Sequence, residues 1–249
     1  MTGLAGKNAV VVGASRGVGR AIVLRLAADH AQVLAVGRHR DTLEQLARDI
    51  PGTKTLALDA TDDAAPARVF AAMRPDLVVV CAGATPPVRP LHELTWSEFT
   101  INWDTDVRMA FSFSREALRA PLAPGSTVIL ISSGAALGGS PISGGYAGAK
   151  RMQMFIANYA QKESDRLELG VRFFALAPAR LMPETELGRV AVAGYAGYLG
   201  MSPAEFVEGM SSRQTPRDVA NATAELAGNV TDYRGTVFTV SGEGIARAI

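Results

Sequence analysis

Seven short runs of β-branched and aliphatic residues punctuate this chain, and most are apolar throughout instead of alternating apolar with polar. They fall at residues 8–12, 32–36, 54–58, 76–80, 126–131, 171–176 and 236–240. A strand apolar on both faces has to be covered on both faces, the condition of a buried parallel sheet. Between the runs lie stretches of helical spacing: 17–29, with Ile22, Val23 and Leu26 on one face, 41–49 with Asp41 placed as its N-cap, 62–73, 97–118, 145–168 and 217–227. Strand–helix alternation of this kind calls for right-handed crossovers and for helices on both faces of one sheet. A chain of 249 residues suits one such α/β domain, over residues 1–249, with a sizeable core.

One stretch resists this pattern. Residues 183–213 carry glycines at 188, 194, 197, 200 and 209 and read as a long irregular segment, which in a compact domain is usually functional. It is expected to act as a substrate-binding loop or lid, with Met182, Tyr195, Tyr198, Leu199, Met201 and Phe206 as an apolar wall. Within it Ser202-Pro203-Ala204-Glu205 has the form of a capping box with proline at the first helical position, so a short helix is expected there.

Composition removes several function classes. Twenty-five Lys and Arg against 24 Asp and Glu leave a net charge of +1, with no basic excess for nucleic acid. The longest apolar runs, 77–82 and 128–131, fall far short of a membrane span. The first residues, MTGLAGK, lack a basic patch followed by an apolar segment, and a single cysteine, Cys81, forms no internal disulfide. Both suit a cytoplasmic protein.

Chemistry first surfaces in Val12-Gly13-Ala14-Ser15-Arg16-Gly17-Val18-Gly19, which joins the first strand to the first helix. Glycines at 13, 17 and 19 permit a tight turn, close approach of a phosphate and close helix–sheet packing. The helix N-terminus beyond offers free N–H groups to an anion. A dinucleotide without a 2′-phosphate usually meets an acid at the end of the second strand. Here that position reads Val36-Gly37-Arg38-His39. Arg38, with Arg16 in the turn, suits a 2′-phosphate, so NADP(H) is expected ahead of NAD(H).

A second cluster opens the long helix. Tyr146 and Lys150 are four apart and share a helical face. A tyrosine titrates near pH 10 and is a poor acid–base catalyst at neutrality. Bringing it down to neutrality takes about 4 kcal/mol. An ammonium about 4 Å away supplies roughly that at an effective dielectric near 20. Ser133 ends the fifth strand, at the sheet edge where ligands bind, and Asn102 lies where a buried amide would organise a water beside Lys150. Taken singly, each has an ordinary reading: glycines mark turns, serines cap helices, and Tyr-x-x-x-Lys recurs by chance.

Together these motifs make the chain resemble the short-chain dehydrogenase/reductase family, in its short ketoreductase-like branch. The resemblance runs from Lys7 to about Gly244 and rests on GASRGVG at 13–19, Leu58-Asp59, Cys81-Ala82-Gly83, Asn102, Ser133 thirteen residues before Tyr146, and Lys150. It implies a Rossmann-type doubly wound parallel sheet of about seven strands in the order 3-2-1-4-5-6-7. It implies hydride transfer between nicotinamide C4 and a carbonyl carbon, without a metal. Tyr146 would be the general acid, Ser133 would orient the substrate oxygen, Lys150 would bond the nicotinamide ribose and Asn102 would hold a relay water. Cofactor contacts would come from Gly13, Ser15, Arg16, Gly17, Val18, Gly19, Arg38, Asp59, Ala60, Cys81, Ala82, Gly83, Tyr146, Lys150, Pro178 and Leu181. The substrate would be a ketone, aldehyde or 3-oxoacyl group. The assembly would be a homotetramer or dimer through helices 97–118 and 145–168, where Met152, Met154, Phe155, Ile156 and Tyr159 surround much of the second helix.

Three positions depart from the family's pattern. Cys81 stands where an asparagine is usual, Ala179 where a glycine follows Pro178, and Pro183 where a threonine is usual, with Thr185 two further on. Two other functions compete: a non-catalytic dinucleotide-binding regulator on the same fold, and a lyase or dehalogenase that has abandoned the nucleotide. The intact glycine turn and the Ser133–Tyr146–Lys150–Asn102 set count against both.

Overall fold

The computed structural model describes residues 3–210, 214–228 and 236–248. Its strands are β1 (Asn8–Val12), β2 (Gln32–Gly37), β3 (Lys54–Ala57), β4 (Leu77–Val80), β5 (Thr127–Ile131), β6 (Arg172–Pro178), β7 (Val237–Ser241) and β8 (Gly244–Arg247). Its helices are α1 (Gly17–Ala28), α2 (Arg40–Asp49), α3 (Ala65–Ala72), α4 (Trp96–Asn102), α5 (Arg108–Arg119), α6 (Ala135–Gly138), α7 (Gly144–Arg166), α8 (Glu186–Leu199), α9 (Pro203–Glu208) and α10 (Pro216–Gly228).

The strands form one sheet in the order β3-β2-β1-β4-β5-β6-β7-β8. The first seven pair in parallel, as the Rossmann-type expectation has it; β8 is an addition, antiparallel to β7 through a two-residue turn at Gly242-Glu243. Each run feeds the sheet because its alternate residues serve opposite cores. Val10 and Val12 point to one side, with Val69 of α3, Phe113 of α5 and Met154 of α7. Ala9 and Val11 point to the other, with Ile22 and Leu26 of α1, Leu43 and Leu46 of α2 and Leu226 of α10. Phe113 is fully buried, and its truncation to alanine would cost about 3–5 kcal/mol.

Three sequence expectations need correction. The irregular stretch at 183–213 is largely helical, because Thr185 and Ser202 cap α8 and α9 and offset the glycines between them; residues 211–213 lie outside the described residues. The Ser202–Glu205 capping box forms as expected. The helix expected over 97–118 is broken by a π-helical turn, Trp103–Val107. There the Thr105 hydroxyl donates to the Ile101 carbonyl (2.7 Å), placing a side chain in the helical ladder. Finally, His39 and not Asp41 is the N-cap of α2; Asp41 sits in its first turn, where the dipole favours an acid.

The order of strands reverses between β1 and β4. That switch point opens a crevice at the carboxyl ends of the strands. Every segment singled out in the sequence leaves the sheet at this edge or packs over it. Among the described residues no helix is long and apolar enough to cross a membrane.

Candidate active site

Close backbone approach builds the phosphate turn. A Cβ on Gly19 would lie 2.0 Å from the Gly13 carbonyl oxygen, and one on Gly13 would lie 2.5 Å from the Ala82 nitrogen. Side chains at either point would push α1 off β1, or β1 off the exit of β4. The carbonyl of Val12 accepts from the N–H groups of both Cys81 and Ala82, so the two exits are locked side by side. Arg16, the N-cap of α1, makes no side-chain cap there, which leaves the first turn's N–H groups to the crevice.

The remaining nucleotide candidates line the same edge. Arg38 follows β2, exposed, and Asp59 and Ala60 follow β3. Two hydrogen bonds from Thr61 to Asp59, one from its N–H and one from its hydroxyl, hold the Asp59 carboxyl below the usual range, with the nearby Arg38 charge adding to this. Pro178 closes β6 and Leu181 follows it. The Arg16 guanidinium is paired with Glu186 at the start of α8. Thr185, which caps α8, brings its methyl within 3.9 Å of where a Cβ on Gly17 would sit. A threonine two places late thus still overhangs the phosphate turn.

The second cluster is assembled by helix contacts. A capping box at Thr95 and Glu98 starts α4, which ends at Asn102. A Cβ on Gly145 would lie 1.7 Å from the Phe99 carbonyl oxygen, so glycine at 145 lets α7 touch α4 just before Tyr146. Lys150, one turn on, is buried. Its ammonium donates to the Ile131 carbonyl (3.0 Å), lies 3.1 Å from Asp106 Oδ2 and sits 5.7 Å from the centre of the Tyr146 ring. The Ile131 carbonyl takes one of the ammonium's three donors, and Asp106 compensates its charge. Burial pushes the ammonium's pKa down; the Asp106 carboxylate, with Tyr146 and Cys81 on the same side, outweighs that and moves it up.

Asn102 is buried and donates from Nδ2 to the Ala84 carbonyl (2.9 Å) and to Asp106 Oδ1 (3.3 Å). Two acceptors fix the amide's orientation. They leave Oδ1 buried with no protein partner, an acceptor in search of a donor. Asn102 reaches Lys150 through Asp106 and makes no direct bond to it. Ser133 Oγ, just past the end of β5, accepts from the N–H of Ala135, the first residue of α6 (3.2 Å). Cys81, in place of an amide, is a thiol that burial pushes up to about 11, so it stays protonated at neutrality.

Asp106 was not singled out in the sequence. Its signal was an acid four residues from Asn102 in a helical stretch, a spacing that puts both on one face. Above the crevice, Tyr195 of α8 stacks on Phe206 of α9 at 5.6 Å, and its hydroxyl donates to Ser140 Oγ (2.7 Å). Tyr198, Leu199 and Met201, expected in the same wall, are exposed.

The glycine cradle, the Lys150 donor and the orphaned Asn102 oxygen fit a dinucleotide. Comparison with known proteins agrees on the class. The family model of the short chain dehydrogenases matches residues 7–190, and the chain belongs to this family. It is similar to an L-xylulose reductase of Mesocricetus auratus, 32% identical over 124 residues, covering 50% of this chain and 51% of the relative. It is also similar to a D-erythrulose reductase of Gallus gallus, 35% identical over 121 residues (48% and 49%), and to carbonyl reductase (NADPH) 2 of Sus scrofa, 29% identical over 126 residues (49% and 52%). The chain thus spans about half the length of these curated relatives.

Proposed function

We propose that this protein is an oxidoreductase that interconverts a small carbonyl compound and its alcohol, using NADP(H) in preference to NAD(H). The observation that carries the reading is a buried Lys150 ammonium held under the Tyr146 ring at the sheet's ligand-binding edge. Neither a regulator nor a mere binder needs a phenol placed over a charge. A bound reduced dinucleotide supplies the hydride.

The chain's own residues supply the rest. The turn from Gly13 to Gly19 holds the pyrophosphate on the N-terminus of α1, with Ser15 and Val18 lining it. Arg38 and Arg16 meet the 2′-phosphate, Asp59 and Ala60 the adenine side, and residues 81–83, Pro178 and Leu181 the nicotinamide side. Ser133 orients the carbonyl oxygen, and Tyr146 gives it a proton as charge develops there. Lys150 favours the resulting phenolate. The relatives' names, two ketose reductases and a carbonyl reductase marked NADPH, support a short polyhydroxy ketone as substrate class. Of the segment 183–213, the described residues 183–210 close over it as a lid. Phe111, Phe155 and Tyr159, each about half exposed on α5 and α7, support assembly as a homotetramer or dimer; the single cysteine, Cys81, suits the cytoplasm.

The test is NADPH oxidation with a panel of ketoses and simple ketones, for wild type and Tyr146→Phe. Turnover should fall by about 10²–10⁴-fold in the variant, with nucleotide binding retained in a calorimeter. Equal rates in the two proteins would remove Tyr146 from the reaction.

A further inference from the structure

Beneath the proposed catalytic residues the site holds one more charge. Asp106 is 1% exposed, on the π-helical turn. Its Oδ1 accepts from the Ala84 N–H (2.9 Å) and Asn102 Nδ2 (3.3 Å), while Oδ2 faces the Lys150 ammonium at 3.1 Å. A Cβ on Gly83 would lie 2.6 Å from Oδ2, so the carboxylate rests directly against the backbone leaving β4. We propose that Asp106 is the positioning residue of this site: its carboxylate holds the Lys150 ammonium beneath Tyr146 and ties it to the 81–84 segment that borders the cofactor crevice. The inference rests on the reading of Tyr146 as proton donor.

A buried ammonium needs a compensating charge. The titratable groups that face Lys150 are Asp106 from the π-helical turn, Tyr146 from its own helix and Cys81 from the exit of β4. Cys81 stays a neutral thiol, so Asp106 is the carboxylate among them. Asp106 also braces the strand exit through the Ala84 N–H, close to Cys81. The same carboxylate sets when the site loses protons. The Lys150 ammonium lies beside the Tyr146 ring, and a negative charge next to that ammonium opposes loss of its proton. Carbonyl reduction needs that proton and the Tyr146 proton in place.

Asp106→Asn keeps the shape and removes the charge. The alkaline limb of kcat/KM for carbonyl reduction should move to lower pH by about one unit or more. A fall in kcat/KM by the same factor at every pH, with the limb unmoved, would overturn the proposal, since that is what a packing role alone produces. A thermal-melting cycle of Asp106→Asn, Lys150→Met and the double variant reads the pairing without nucleotide or substrate. The double variant should melt above Lys150→Met, because it removes the carboxylate that the single variant strands. A double variant melting no higher would overturn the pairing, and this arm decides even if Asp106→Asn alone does not fold. If wild type turns over no carbonyl with either dinucleotide, the proposed function falls, while the cycle still judges the pair.

Discussion

Two ion pairs mark the floor and the rim of the crevice, and they are unlike in every respect that matters. On the floor, Lys150 and Asp106 have side chains only 6% and 1% exposed, and the carboxylate has two further N–H donors. On the rim, Arg16 and Glu186 are 63% and 49% exposed. Water screens the second pair and leaves it nearly neutral in energy. The first has lost its water, so each charge depends on the other. Under the proposed function, the proton chemistry falls to the buried pair, and the exposed pair is the one a ligand can displace.

That contrast can be broken in order of expected size. Lys150→Met should lower stability by about 3–5 kcal/mol, because it strands a buried carboxylate; a chemical denaturation midpoint within error of wild type would erase the distinction. Arg38→Gln should raise KM for NADPH by roughly 10–100-fold, the worth of a charge-assisted hydrogen bond, and leave KM for NADH in place. An equal change with both cofactors would show that Arg38 does not read the 2′-phosphate. Glu186→Gln should alter stability by less than about 1 kcal/mol and modestly tighten NADPH, since it frees Arg16. A loss as large as that of Lys150→Met would mean that the rim is as tightly coupled as the floor.

The parallel sheet was readable because its strands are apolar on both faces, and seven of eight were placed within about two residues of their positions. β8 escaped notice because Gly244-Ile245-Ala246-Arg247 carries one large apolar residue, too few to reveal a strand, and its edge position asks for no more. α8 escaped because Gly188, Gly194 and Gly197 lower its helical propensity. Two of those glycines are explained by tertiary contact: a Cβ on Gly188 would lie 1.8 Å from the Met182 carbonyl oxygen, and one on Gly194 would lie 2.3 Å from Val88 Cγ1. In the site, the glycine turn and Tyr146–Lys150 were legible because spacing alone specifies them. The sequence argument for Tyr146 assumed an unshared ammonium about 4 Å away. The structure instead puts it 5.7 Å from the ring centre with Asp106 at its side. The spacing from Asn102 to Asp106 places the acid on the same helical face but does not reveal its partner, since that depends on which strand exit it meets.

Gly83 and Asp106 also limit which substitutions the site tolerates. With 2.6 Å between the carboxylate and a hypothetical methyl at 83, a side chain at 83 collides with the acid where it now stands. A change at 83 therefore calls for a change at 106, and a change at 106 releases a lysine that the interior would then have to accommodate some other way.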